Sequence, residues 1–137
     1  MEGIKITQQG MNMKLRNLYL LNTVVSLGFA LGFFLMSPFL LGLFGIDDTA
    51  EARTLAQLIA VELVVGGVTT LLARDVTDAK AIHAINTGNF LAGVIGTLIV
   101  LRATLTGVMG AFGYVIAAVY LFLAVAFGYF QYMKSSR

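Results

Sequence analysis

Residues 81–101 read AIHAINTGNFLAGVIGTLIVL. About 20 predominantly apolar residues suffice for a helix to cross a bilayer, and this run meets that length. It also carries His83, Asn86 and Asn89, whose three-residue spacing sets them along one flank of a helix. Gly93 and Gly96 continue the flank, where a second helix can approach closely. Polar side chains cannot face hydrocarbon cheaply, so this flank has to turn into a bundle. A span with one polar edge implies neighbours, and the rest of the chain supplies them.

The composition agrees. The chain has 137 residues, 58% of them apolar and 12% charged, with a mean hydropathy of +0.88. Soluble domains run nearer ~25% charged. Four spans of about 20 residues leave only short loops and ends, so a second soluble domain has no room. With no cysteine and one histidine, thiolate, iron–sulfur and multi-histidine metal sites are excluded within one chain. The pI of 9.1 reflects a net charge of only +2, which points to membrane topology rather than to nucleic acid.

Residues 1–16 form a polar, mildly basic tail, within which Met11 and Met13 are alternative starts. The apolar run after it is too long for a signal-peptide core and is read as span one, about 17–36, with Gly28 and Gly32 on one face. Pro38 ends it. The apolar segment PFLLGLFGI is too short to cross and reads as an interfacial or re-entrant piece. Asp47, Asp48 and Glu51 then precede span two, about 54–73, where carboxylates suit a helix start. Span three covers about 81–102 and span four about 108–132, with Tyr129, Phe130 and Tyr132 as an aromatic belt. The transmembrane domain is thus 17–133, and 134–137 form a second tail.

Lys5, Lys14, Arg16, Arg74, Lys80, Lys134 and Arg137 fall on one side of this arrangement, Arg53 and Arg102 on the other. The positive-inside rule makes the first side cytoplasmic, so the expectation is N-in, C-in. The fold class expected is all-α: a polytopic membrane protein with four helices in a compact bundle. Leu21-Asn22-Thr23 and Ile85-Asn86-Thr87 also stand at equivalent places in spans one and three, as do Gly32 and Gly96, the pattern a two-plus-two duplication would leave.

Glu62 is the sharpest signal for function. An acid near the bilayer centre costs about 2.5–3.5 kcal/mol on insertion scales, and such residues face a bundle interior or a cavity. A proton relay, a counter-ion for a cationic ligand and a hydrogen-bond donor to a quinone-like carbonyl are its functional readings; a protonated carboxyl hydrogen-bonded between helices, or one paired with a partner subunit, is the plain one. Counting inward from the helix ends places Asn89 and Tyr120 near the same depth. Asn86 and His83 extend the polar track toward the inner surface. His83 reads as an interfacial residue near Asp75 or Asp78, a member of a proton path, or an axial ligand to a macrocycle, since Ala79 lies four residues before it. Gly28, Gly32, Gly66, Gly93 and Gly96 read as helix-packing positions. No phosphate loop and no Ser–His–Asp set is present.

Leu71–Arg74, the polar residues Asn86 to Asn89, Gly107–Tyr114 and Tyr120–Phe130 together resemble a group of small bacterial four-span proteins. The resemblance covers about the C-terminal half. It implies a bacterial inner-membrane location and a four-helix fold, and carries over no catalytic residue. The expected function is a small non-enzymatic accessory or structural subunit that packs against lipid and other membrane helices, in a hetero-complex or homo-oligomer. Lipid, quinone or pigment are its candidate bound groups, none required by the residues. The alternative is a homo-oligomeric, transporter-like protein that handles a ligand or protons through Glu62.

Overall fold

The computed structural model describes the backbone of residues 2–133 and the side chains from Lys14 onward. Met1 and the tail 134–137, with Lys134 and Arg137, lie outside the described residues, as does the side chain of Lys5. The chain is all-helical. Its elements are α1 (Glu2–Leu35), α2 (Ser37–Leu43), α3 (Ala50–Ala73), α4 (Ala79–Leu105) and α5 (Phe112–Gly128), which continues as a π-helical stretch over Tyr129–Met133.

Among the described residues four stretches are long and apolar enough to span a membrane: Lys14–Leu35, Ala50–Ala73, Ala79–Leu105 and Phe112–Met133. The shortest has 22 residues, about 33 Å of helix against a hydrocarbon core of about 30 Å. Only 11% of the most apolar window of α4 is buried inside the chain. Leu91, Ile95, Leu98 and Ile99 on that helix stand exposed, as do Leu58, Val61, Val65 and Leu72 on α3. Such a surface suits lipid, where side-chain burial within the chain is not needed for apolar residues to leave water.

Helix boundaries follow local chemistry. Thr49 caps α3 by accepting the Ala52 amide at 3.1 Å, and Asp78 caps α4 by accepting the Ala81 amide at 2.8 Å. Asp48 is taken up by Arg53, whose guanidinium holds the carboxyl below the usual carboxylate range. Between α1 and α2 the helix breaks at Met36, with Pro38 in the first turn of α2. The fold-back seats Leu40 on Gly32, where a Cβ would stand 2.8 Å from Leu40 Cδ1.

The spans form a bundle of two antiparallel pairs, α1 with α3 and α4 with α5. In the second pair, contact runs down the whole length through glycines. A Cβ on Gly128 would meet Phe90, on Gly93 the backbone of Ala124, on Gly96 the ring of Tyr120, and on Gly113 the side chain of Thr104. One partner of each contact lacks a side chain, so the backbones come close. In the first pair Gly67 does the same against Leu27 and Ser26.

The pairs meet at their two ends. At one end, named inner for the orientation expected from the basic residues, Tyr19 stacks on Phe127 with ring centroids 6.1 Å apart, in a cluster with Leu18 and Ala73. At the outer end α2 folds over the bundle: Leu41 and Phe44 are buried with Ala30, Phe33, Ala56, Ala60 and Ile116. Phe44 lies edge-on to Phe112 at 5.4 Å. The Gly110 amide donates to the Phe44 carbonyl at 2.6 Å beside Gly45, whose φ of +69° suits glycine. This tie, with Gly107 at φ +76°, delays the start of α5 to Phe112, later than the 108 expected from hydropathy. Likewise α1 extends back to Glu2, through residues too polar to read as part of a span.

Candidate functional site

Between these two ends lies a cavity of about 630 Å³, lined by residues of both pairs. Its wall is mostly apolar: Phe29 and Phe33 of α1, Phe44 beyond α2, Leu63 of α3, Val100 of α4 and Ile116 of α5. Asn22, Ser26 and Asn89 make its inner end polar, and Glu62 and Tyr120 stand along its sides. The lining residues that remain exposed, Leu55, Ile59 and Glu62 on α3 and Ala92 on α4, place its mouth between those two helices. α3 and α4 scarcely touch, so the mouth faces sideways, toward lipid in a bilayer.

The inner end is a hydrogen-bonded cluster. The Tyr19 hydroxyl donates to Asn86 Oδ1 at 2.8 Å, and both side chains are 1% exposed. Asn22 Nδ2 donates to Thr70 Oγ1 at 3.3 Å and to Asn89 Oδ1 at 3.5 Å. Asn89 Nδ2 donates to the Ile85 carbonyl at 2.9 Å. Thr23 lies 3.0 Å from Thr70 and donates to the Gly67 carbonyl at 3.1 Å. Four polar residues of α1 and α3 are thus joined to the flank of α4. Asn22, Thr23 and Thr70 looked like ordinary span residues in the sequence; the one signal was the shared Asn-Thr pair of spans one and three.

These bonds also set the relative depths. Thr70 lies eight residues from Glu62 along α3, about 12 Å, and shares its level with Asn89 through Asn22. Tyr120 packs on Gly96, seven residues or about 10 Å beyond Asn89. Glu62 and Tyr120 therefore stand at nearly one depth, and Asn89 sits well below them. All three line the cavity. Among the described residues no hydrogen bond or ion pair engages Glu62, so it forms no Glu–Asn–Tyr cluster, and it is exposed at the mouth rather than enclosed in the bundle.

His83 lies apart from the cavity. It is exposed, and its Nδ1 meets the amide nitrogen of buried Gln131 in the π-helical stretch. Asp75, which the sequence offered as a neighbour, pairs with Arg16 and Arg74 instead, and Asp78 caps α4. Of the five glycines read as packing positions, Gly93 and Gly96 hold α5, and Gly32 meets α2 rather than another span. Gly28 and Gly66 have no neighbour within 4 Å of where a Cβ would stand, so they make no close helix contact within this chain. Gly66 instead leaves open space in the cavity wall. Among the described residues no three His, Asp or Glu side chains converge as a metal site requires.

Compared with protein-family models, curated proteins and solved structures, the chain matches none.

Proposed function

We propose that this protein binds one apolar or amphipathic small molecule in the cleft between its two helix pairs, with access from the bilayer between α3 and α4. The observation that carries the reading is the cavity of about 630 Å³ with Glu62 at its mouth. Ligand pockets measure about 300–1,000 Å³, are mainly apolar and place a few polar groups to orient the ligand. Gly66 supports the same reading, because a side chain there would enter empty space. The reading is one of binding rather than catalysis: the cavity offers a carboxyl, a phenol, the Ser26 hydroxyl and amides, and among the described residues no base is hydrogen-bonded to that hydroxyl. The bias of basic residues supports an orientation with both ends in the cytoplasm, and the resemblance of the C-terminal half to small bacterial four-span proteins implies an inner-membrane setting.

The test compares the wild-type protein with Gly66→Leu, which adds a side chain to the cavity wall where a Cβ would meet no neighbour within 4 Å. Both are purified in mild detergent from their native membrane, and their organic extracts are compared by mass spectrometry. One apolar species, present in stoichiometric amount in the wild type and lost in Gly66→Leu, is the expected result. Identical extracts from two equally stable proteins would overturn the reading.

A second reading, as an accessory subunit, draws on Gly28. This glycine is exposed on α1, away from the contacts with α3, and its open face suits a helix from another chain.

A further inference from the structure

We propose that the molecule held in the cleft is a membrane-permeant organic cation: a positive centre carried on an apolar body. The inference rests on the reading of the cleft as a ligand site and adds the sign of the ligand's charge. Glu62 is the one formally charged residue in the lining. No basic side chain of the described chain answers it. Arg53 pairs with Asp48, Arg16 and Arg74 pair with Asp75, and Lys14, Lys80 and the exposed Arg102 form no ion pair with Glu62. Arg53 and Arg74 are also nine and twelve residues away along α3, about 13 and 18 Å. An acidic side chain within a span is expensive unless paired, and this one stands at the mouth of a mostly apolar cavity with no protein cation paired to it.

The rest of the wall fits the same ligand. Tyr120 stands at the depth of Glu62, and Phe29, Phe33 and Phe44 line the outer part. Aromatic faces attract a cation whose water has been removed. An apolar wall accepts the body of the ligand, and the carboxylate fixes the charged centre at the mouth. A neutral molecule such as a quinone or a diacyl lipid would use the wall and the amides of Asn22 and Asn89, and would leave the charge of Glu62 without a role. An anion would be repelled by it.

The experiment uses the full chain in nanodiscs of uncharged lipid. Binding of tetraphenylphosphonium and of dodecyltrimethylammonium is measured by equilibrium dialysis, with tetraphenylborate as the anion of matching shape. Saturable binding of a cation and none of the borate is the expected result. Glu62→Gln should weaken the cation by about tenfold or more, equivalent to about 1.4 kcal/mol, while Glu62→Asp keeps most of the affinity. Circular dichroism and thermal midpoints of the variants check that the fold is unchanged. Equal binding of cation and borate, equal affinity in wild type and Glu62→Gln, or no binding of either cation would each overturn the inference. The cleft reading would survive those outcomes if an apolar species still co-purified with the wild type and not with Gly66→Leu. Loss of that species too would remove both.

Discussion

Tyr19 on α1 donates its hydroxyl proton to Asn86 on α4 across 67 residues of sequence, and both side chains are almost fully buried. This bond and the Tyr19–Phe127 stack close the inner end of the cleft. Hydrogen bonds between membrane helices average about 0.6 kcal/mol, with a maximum near 1.7. Tyr19→Phe keeps the ring and strands the Asn86 oxygen, so its loss should fall near the upper figure. Asn86→Ala should cost at least as much, and the double variant less than the two together. Thermal unfolding in detergent measures all three, and strictly additive losses would show that the bond carries no coupling.

The glycines divide into two groups with opposite expected behaviour. Gly93→Val drives a side chain into the Ala124 backbone, where a Cβ would already stand 2.8–3.0 Å from its neighbours. Overpacking of this kind costs about 1–3 kcal/mol. Gly28→Ala meets open space. The isolated chain should be unchanged or gain up to about 1 kcal/mol, because alanine is the better helix former. If Gly28 faces a helix of another chain, Gly28→Leu should leave the monomer's melting point intact and shift the native complex to a smaller size in blue-native gels. An unaltered complex would argue against an accessory role through this face.

The four spans could be read from hydropathy because the bilayer imposes length and apolarity on each helix separately. What pairs with what could not. Span contacts depend on register between distant segments, and periodicity within one helix is silent on that. The polar flank of span three was visible, but nothing in the sequence ties it to its partners Tyr19 and Asn22, or to Thr70 behind Asn22. Counting residues placed Tyr120 near Glu62 in depth and also placed Asn89 there, although the Asn22 bond ties Asn89 about 12 Å nearer the inner end. The cavity itself was illegible: it lies between two helix pairs tied through Tyr19 at one end and Phe44 at the other, and the pattern within one helix does not report such packing. The later start of α5 has a similar origin, in the backbone bond from Gly110 to Phe44.

Topology is tested from outside the bundle. Seven basic residues against two predict that a reporter fused after Arg137 is active in the cytoplasm. A cysteine at Thr49, next to the exposed Asp48–Arg53 pair, should react with an impermeant maleimide added to intact cells. Periplasmic activity of the fusion would reverse the orientation.

That same pair gives a pH expectation. Arg53 holds the Asp48 carboxyl below its ordinary range, so any stability the pair adds is present above that range and is lost as pH falls through the lowered value. Arg53→Gln should let the Asp48 titration rise toward the usual carboxylate range. Carboxyl-carbon NMR shifts follow it directly, and an unchanged titration would show that Arg53 does not hold the carboxylate.

His83 bears on the bound group. Its Nδ1 is engaged by Gln131 and it lies outside the cavity lining, so it is not placed to hold a macrocycle against the ligand space. The purified protein should therefore lack a Soret or bacteriochlorophyll band that depends on His83. A band abolished by His83→Ala would refute this.

The route into the cleft gives the last prediction. The exposed lining residues Leu55, Ile59, Glu62 and Ala92 all belong to α3 and α4, and the two helices scarcely touch. The inner end is closed by Tyr19, Asn22, Asn86 and Phe127, and the outer end by Phe44 and Phe112. A molecule dissolved in the bilayer therefore has one short path, sideways past Ala92. Ala92→Trp puts a large ring at that mouth from an exposed helical position, so the fold should survive. Since the ring narrows the path more than it changes the seat, association and dissociation should both slow while Kd moves little. Stopped-flow or dialysis kinetics with tetraphenylphosphonium would measure both rates. Unchanged rates in Ala92→Trp, with the affinity also unchanged, would mean that the ligand does not pass between α3 and α4.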